Sequence, residues 1–547
     1  MGEIKLLDCT LRDGGYVNDW NFGHNCLVSI FERLVDANVD IIEIGFLDER
    51  RPFDSNRSIM PDTDSVGKIY GNLDRKQAMV VGMIDYSTCS LEHIRPCTQS
   101  YLDGIRVIFK KHLREAAMAF CAELKKKGYK VFAQLVSVTS YEDSEMMDLI
   151  RLANEVKPYA VSMVDTYGLM HQDNLEHYFH LLNDYLELEI GIGYHAHNNF
   201  QMGYANCIEM LSHTVSRLIL VDGSLYGMGK SAGNAPVELI AMHMNERYRK
   251  NYHISQLLEA IDTSIMNFYT PAAWGYNMFY YLAASNDCHP SYVSGLMEKR
   301  TLSVKSINEI LGKLCPEKKL LYDASYLERL YKEYQDIDVD DQQDLASLRK
   351  ALNGKKVLLL GPGVSIRTEE RKILDYIERE RPVVCSVNFI AEQYKVHYLF
   401  LSNAKRYLQL ATVLSQRNLL FRVIATSNVT KTNGRFDYTL KYSSLLDEKA
   451  QVIDNSFIML LKVMLRLGVK KAALAGFDGY YGKEKKNYMN PEMEYSFDDV
   501  QAKKLNEYVA SVLDGLEQEL TMEFITDSLY QKQQDRKAEE HYENESC

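Results

Sequence analysis

The chain has 547 residues, too many for one ordinary hydrophobic core, so two or three domains are expected. Hydrophobic residues make up 46 % and charged residues 25 %, the mixture of a soluble globular protein. A formal net charge of -12 argues against general nucleic-acid binding. Ten cysteines without a C-x-x-C pair fit reduced thiols in a cytoplasmic protein, not a disulfide framework or a zinc ribbon. The N-terminus enters a strand directly, with no signal peptide, and Leu6 stands where a myristoylation pattern needs Ser or Thr. No apolar run approaches the roughly 20 residues that span a bilayer. A cytoplasmic location with no membrane partner is expected.

Short apolar strands alternate with amphipathic runs from the N-terminus onward. Strands are predicted at Ile4–Leu7, Ile41–Phe46, Met79–Ile84, Gly104–Phe109, Lys130–Val138, Ala160–Asp165, Ile190–His197 and Arg217–Asp222. Helices are predicted at Leu27–Asn38, Leu113–Lys127, Ser144–Val156 and Asn174–Leu186, with Asn174 as an N-cap and Gly128 closing the helix before it. Eight β/α units with strands apolar on both faces fit a closed parallel barrel, a (β/α)8 or TIM barrel. A doubly wound sheet fits less well, because Arg12-Asp13 stands where a Gly-rich dinucleotide turn would follow the first strand.

In such a barrel the chemistry sits where strands end. Those ends carry Arg12 and Asp13, Glu43, Asp165 and Thr166, His195 and His197 followed by Asn198 and Asn199, and finally Gly223–Asn234. His195 and His197, two apart on a strand, point to the same face, so both imidazoles can meet one cation. Two imidazoles, the Asp13 carboxylate and the Asn234 amide oxygen make a mixed N/O site suited to Mg²⁺ or Mn²⁺. Such a metal polarises a 2-oxoacid and stabilises its enolate, and Arg12 is placed to bind the substrate carboxylate or the enolate oxygen.

These motifs resemble the HMG-CoA lyase-like superfamily of metal-dependent TIM barrels, which includes 4-hydroxy-2-oxovalerate aldolases and isopropylmalate and homocitrate synthases. The matching segments are Asp8–Gly14, Ile-Glu-Ile-Gly around Glu43, Val164–Gly168, His195–Asn199 and Gly227–Pro236, in family order. The resemblance implies that Asp13, His195 and His197 bind a divalent metal, with Asn234 a fourth or supporting group. It implies that Arg12 stabilises the enolate and that Glu43 supports Arg12 or proton transfer. The Ala-Gly-Asn-Ala-Pro ending is closest to pyruvate aldolases and condensing synthases, and residues 225–234 lack the reactive Cys of the lyase branch. Where the oxovalerate aldolases place a catalytic His, this chain has Gly15, Tyr16 and Val17, which makes Tyr16 an acid/base candidate. Asp165, Thr166 and Asn198 are candidate substrate contacts.

Residues 266–335 read as a helical extension, with Trp274, Tyr276, Tyr280, Tyr281 and Tyr292 on or near apolar faces. Residues 336–350 are acidic and polar and read as a linker. From 351 to 530 a second, Rossmann-like α/β domain is expected, with strands at Lys355–Leu360, up to Asn388, and at Tyr398–Ser402, Phe421–Ala425 and Ala472–Ala475. Residues 531–547 are low in apolar content and read as a disordered tail. Gly361-Pro362-Gly363-Val364-Ser365 after a strand suits either a phosphate at a helix N-terminus or a tight structural turn. Its layout with Ser386-Val387-Asn388 is similar to sialyltransferase-like proteins. That resemblance implies a nucleotide-sugar pocket lined by Gly361, Gly363, Ser365 and Asn388.

Together these readings predict a Mn²⁺- or Mg²⁺-dependent carbon–carbon lyase in residues 1–265, of the pyruvate-aldolase (EC 4.1.3-like) kind, fused to a nucleotide- or sugar-binding domain. An acyl-CoA condensing synthase, and a barrel acting as scaffold for a C-terminal transferase, are the alternatives. Expected partners are small 2-oxoacids, aldehydes and a nucleotide-sugar; a homo-oligomer is compatible with the sequence, and nucleic acid is not expected.

Overall fold

A computed structural model describes residues 2–531 except 271–272, 320, 417–419, 431–435, 448–449, 451, 483–484, 491–492 and 496. The expected tail lies outside the described residues but for its first position. The chain divides into two compact units, Met1–Pro290 and Ser291–Cys547. The division cuts the expected helical extension, whose first part belongs with the barrel. Trp274 and Tyr292 are buried, whereas Tyr276 and Tyr281 are exposed.

The first unit is a closed barrel. Its strands are β1 (Ile4–Asp8), β2 (Ile41–Leu47), the two-residue β3 (Ile59–Met60), β4 (Met79–Asp85), β5 (Gly104–Phe109), β6 (Lys130–Leu135), β7 (Ala160–Asp165), β8 (Gly191–Ala196) and β9 (Ile219–Gly223). They run parallel in the order β1-β9-β8-β7-β6-β5-β4-β2-β3, and a β1–β2 pairing closes the ring. Helices such as His24–Asp36, Arg114–Lys126 and Asp143–Val156 follow the strands. Gly128 lies at φ +94° just past the second of these, as expected of a helix-ending glycine. Asn174 is not an N-cap. Its helix begins earlier, at Gln172, and His171 precedes it.

Strand periodicity explains the interior. Leu7, Ile41, Phe132, Ala160 and Leu220 form one apolar layer inside the barrel. Two residues further along the same strands, the inward positions become Glu43, Gln134, Ser162 and Asp222, joined by Arg106 from β5, all buried. Outward-facing residues such as Ile42, Ile44, Val107, Val131 and Val161 pack against the helices instead. The barrel therefore has an apolar floor and a polar layer below its C-terminal mouth, which is the end that carries chemistry in this architecture.

The second unit holds β10 (Val357–Leu360), β11 (Val383–Val387), β12 (Tyr398–Leu401), β13 (Arg422–Thr426), β14 (Tyr438–Leu440), β15 (Lys471–Ala475) and β16 (Thr521–Phe524). All are parallel, in the order β14-β13-β12-β11-β10-β15-β16. The order reverses between β10 and β15, the topological switch point of a Rossmann-like sheet. The strands at 438–440 and 521–524 were not anticipated, being short and flanked by polar sequence. The acidic segment read as a linker contains the helix Gln342–Leu352. Its acids have a structural use, because Asp344 Oδ2 accepts from Thr439 N at 2.7 Å and Asp341 Oδ2 from Lys441 N at 2.9 Å. They satisfy one amide of the edge strand β14 and one just past its end, which would otherwise invite a foreign strand. Among the described residues, no helix is long and apolar enough to cross a membrane.

Arg217, buried just before β9, holds the preceding connection together. Its guanidinium donates to the carbonyls of Asn183, Leu186, Glu187 and Ile190 at 2.8–3.1 Å. Arg217→Ala strands these acceptors and should destabilise the barrel by about 2–4 kcal/mol, measured as a lowered denaturant midpoint.

Candidate metal centre

The candidate site is assembled by four segments at the barrel mouth. Thr10–Asp13 forms a helical turn directly after β1. Gly15 has no room for a side chain, because a Cβ there would lie 2.0 Å from the Trp20 indole. That indole donates to Arg12 O at 2.8 Å, so the glycines seat Trp20 and fix the carbonyl of Arg12. Gly14 has an ordinary helical φ of -59°, so packing and not a left-handed backbone calls for glycine here.

Asp13, His195 and His197 bring their donor atoms within 4.8 Å of one another, all buried. Asp13 Oδ2 lies 4.0 Å from His195 Nε2 and 3.9 Å from His197 Nδ1. Asn234 bridges back to His197 through the backbone. Four buried atoms, Asp13 Oδ2, His195 Nε2, His197 Nδ1 and Asn234 Oδ1, have no hydrogen-bond partner. Buried polar atoms are rarely left unsatisfied, and the three orphaned Lewis bases of Asp13, His195 and His197 within 4.8 Å of one another fit a bound cation. Gly229 keeps this space open, since a Cβ there would sit 2.8 Å from Asp13 Oδ2 and 2.3 Å from Asn234 Nδ2.

A chain of buried ion pairs holds these ligands. Arg12 donates through Nη1 to Asp13 Oδ1 at 2.7 Å and through Nε to Glu43 Oε2 at 2.8 Å. Glu43 Oε2 also pairs with Arg106 Nη1 at 3.0 Å. Arg106 in turn donates through Nη2 to Asp222 Oδ2 and, at 2.9 Å, to Gln134 Oε1. Asp222 Oδ2 lies 3.0 Å from His195 Nδ1. A proton on His195 Nδ1 satisfies that carboxylate and leaves Nε2 as a lone pair facing Asp13. Two guanidiniums against three carboxylates leave this buried set one negative charge in excess, which a divalent cation offsets.

The electrostatics agree with ligand states. Burial works against ionised Asp13, but Arg12, His197, His195 and Asn234 together outweigh it and hold the carboxyl well below its ordinary range. Burial lowers His197 to about 4, so its imidazole is neutral near pH 7. Desolvation around its hydroxyl and the charge of Asp13 raise the Tyr16 phenol, although the residue as a whole is 43 % exposed. Tyr16 packs edge-on against Trp20 with ring centroids 4.8 Å apart, and Lys230 Nζ lies 5.2 Å from its ring.

Residues 3–263 match the family described as HMGL-like. The barrel is an HMGL-like domain. Among its relatives, a 4-hydroxy-2-oxovalerate aldolase from Marinomonas sp. (strain MWYL1) is 24 % identical over 277 residues, 48 % of this chain and 78 % of that protein. An oxaloacetate decarboxylase from Mycobacterium tuberculosis (strain ATCC 25618 / H37Rv) is 25 % identical over 260 residues, 45 % of this chain and 71 % of that protein. The solved HMG-CoA lyase of Bacillus subtilis is 17 % identical with a TM-score of 0.39, covering 49 % of this chain and 93 % of that one.

In this HMGL-like domain the structure gathers Arg12, Asp13, Glu43, His195, His197 and Asn234, with Tyr16 beside Trp20 and Phe46 on the Arg12 side. It gives the three candidate substrate contacts other work. Asp165 accepts from the amides of Leu169 and Met170 at 2.9 and 3.1 Å, and burial raises its carboxyl to about 6. Thr166 Oγ1 accepts from Ser137 N, and Asn198 Oδ1 accepts from Gly203 N. These side chains brace the loops around the mouth. Arg106, Gln134 and Asp222 were missed by the sequence reading. Their signal was a polar side chain inside a strand otherwise apolar on both faces.

In the second unit, the glycine loop after β10 is filled by protein. Asp478 accepts from Ser365 N at 2.8 Å and from Ser365 Oγ. A Cβ on Gly363 would lie 2.5 Å from Asp478, and one on Gly361 would lie 2.5 Å from Gly476 O. Asn388, at φ +58°, accepts from Ser402 N and Asn403 N and donates to Ser456 Oγ. The loop thus has the geometry of a tight structural turn, with a carboxylate where a phosphate would sit. Asp222→Asn in the barrel should weaken Mn²⁺ binding by about 10- to 100-fold, read by calorimetric titration, without lowering the melting temperature to the same degree as Arg217→Ala.

Proposed function

We propose that the barrel is a divalent-metal-dependent carbon–carbon lyase that acts on a 2-oxoacid through a pyruvate-type enolate. The observation that carries this reading is the convergence of three orphaned ligand atoms, of Asp13, His195 and His197, beside the Arg12 guanidinium. Asp13, His195, His197 and Asn234 would hold the ion, and their all-N/O donor set suits Mn²⁺ or Mg²⁺. A cation there supplies Lewis acidity toward the 2-oxo group.

The protein's own groups do the rest. Arg12 uses Nη1 and Nε on carboxylates, while Nη2 has no partner among the described residues. That edge is available to a substrate carboxylate or to the enolate oxygen, where charge develops. Glu43 and Asp13 fix the guanidinium plane, so little reorganisation is needed during reaction. Tyr16 Oη, neutral near pH 7, donates its proton to the alkoxide formed from the aldehyde in condensation, and the phenolate left by that step is the base that the reverse cleavage requires. Trp20 and Phe46 hold its ring.

The relation to an oxaloacetate decarboxylase supports a second reading, because loss of carbon dioxide from oxaloacetate reaches the same enolate. The second unit is read as a nucleotide- or sugar-binding partner of this chemistry, supported by its switch-point topology. A screen of 4-hydroxy-2-oxoacids for pyruvate release, with carbon dioxide followed from oxaloacetate in parallel, separates the readings. The lyase reading expects Mn²⁺-dependent pyruvate release that falls by at least about 100-fold in His195→Ala and Arg12→Ala. Carbon dioxide release without aldehyde-forming cleavage would favour the decarboxylase, and neither activity would refute both.

A further inference from the structure

A cavity of about 440 Å³ lies within the second unit, beside the loops that follow β10, β11 and β15 at the switch point. One wall is aromatic, with Phe457 and Phe477 stacked 3.9 Å apart between ring centroids. The head of the helix Ser456–Arg466 forms another part of the lining, and Asp454 stands immediately before its cap Asn455.

Asp454 is 4 % exposed and carries an elaborate support. Its Oδ2 accepts from Tyr331 Oη at 2.6 Å and from Tyr442 Oη at 2.8 Å. Thr301 Oγ1 lies 2.6 Å behind Tyr331, and Gln335 Nε2 donates to Tyr442 Oη at 2.9 Å. Asn428 Nδ2 then donates to Gln335 Oε1 at 3.1 Å. Both arms run toward the same carboxylate oxygen, to which each phenol donates. Oδ1 accepts no side-chain hydrogen bond from a described residue, and Asp454 lines the cavity. Oδ2 already serves both phenols, so Oδ1 is the oxygen left to a donor inside the cavity.

The ligand's chemistry follows from what surrounds that oxygen. Phosphates and carboxylates bring acceptors, which Asp454 Oδ1 repels, and Asp478 already occupies the glycine loop on the same cavity. A cationic donor would meet Arg300 and Arg406, whose guanidiniums lie 5.1 and 4.4 Å from the Tyr495 ring in the lining. A neutral hydroxyl satisfies Oδ1 without either conflict. We propose that Asp454 Oδ1 accepts a hydroxyl of a neutral, polyhydroxylated ring ligand, of sugar or nucleoside type, in this cavity. This rests on the sugar- or nucleotide-binding reading of the second unit and adds where the hydroxyls go. They meet Asp454, and no phosphate is seated on the Gly361–Ser365 loop.

The full chain is titrated by calorimetry and saturation-transfer NMR with glucose, mannose, N-acetylglucosamine, cytidine, uridine, adenosine, guanosine and inorganic phosphate. At least one hydroxylated probe is expected to bind, and Asp454→Asn to weaken it by about tenfold or more. The two phenols claim the amide oxygen of the variant, which leaves an amide N–H pair toward the ligand. Mn²⁺ uptake by the barrel is expected to be unchanged. Should Asp454→Asn melt well below the parent, Tyr442→Phe decides, because it keeps the carboxylate and removes one of its supports. A loss of several-fold is expected there. Equal binding to parent and variant would overturn the role of Asp454 and leave the sugar-binding reading standing. Phosphate binding that is lost in Ser365→Ala would overturn it in favour of the glycine loop. Failure of every hydroxylated probe would overturn the inference and the underlying reading together.

Discussion

Arg106 sits inside the barrel, contributed by β5, and joins Glu43 to Asp222. Through Glu43 it reaches Arg12 and Asp13, and through Asp222 it reaches His195. The candidate ligand atoms of Asp13 and His195 therefore stand at the two ends of one buried ionic chain. Isolated, each of these charges would be prohibitively costly at this depth. Paired in alternation they are tolerable, and their geometry is fixed because moving any one strands its neighbours.

That constraint links fold to chemistry. A parallel barrel places every second strand residue on its interior, so a two-residue step converts the apolar floor into the ionic layer. The excess negative charge of the layer is what makes the mouth receptive to a cation. The same layer aligns the Arg12 edge toward the place where an enolate oxygen would form. Binding of the ion, tautomer of His195 and orientation of Arg12 are then one electrostatic problem with one arrangement as its solution.

Much of this was legible in the sequence, for physical reasons. Strands buried on both faces read as continuous apolar runs, and all eight barrel strands were found within a few residues of their ends. His195 and His197 were recognisable because a strand repeats every two residues. Arg106 and Asp222 were not, because partners across a barrel are separated by more than 100 residues and nothing local marks the pair. The acidic segment before residue 350 misled for a related reason. Composition registers its charge, but the amides of Thr439 and Lys441 that its acids satisfy, in and just past the edge strand, lie about 100 residues away. The glycines at 14–15 and 361–363 were noticed correctly and explained only in part. Each makes room for a particular neighbour, Trp20 in one case and Asp478 in the other.

The second unit shows the same economy with a different outcome. Its switch point forms a cavity, its glycine loop is occupied by protein, and the doubly supported carboxylate of Asp454 lines that cavity. The central claim concerns the barrel, and proton NMR of pyruvate in deuterated buffer tests it without knowledge of the aldehyde partner. With Mn²⁺ present, the full chain should exchange the pyruvate methyl protons for deuterium, and His195→Ala and Arg12→Ala should abolish that exchange. Methyl exchange at the uncatalysed rate in a metal-loaded, folded protein would contradict an enolate-forming site.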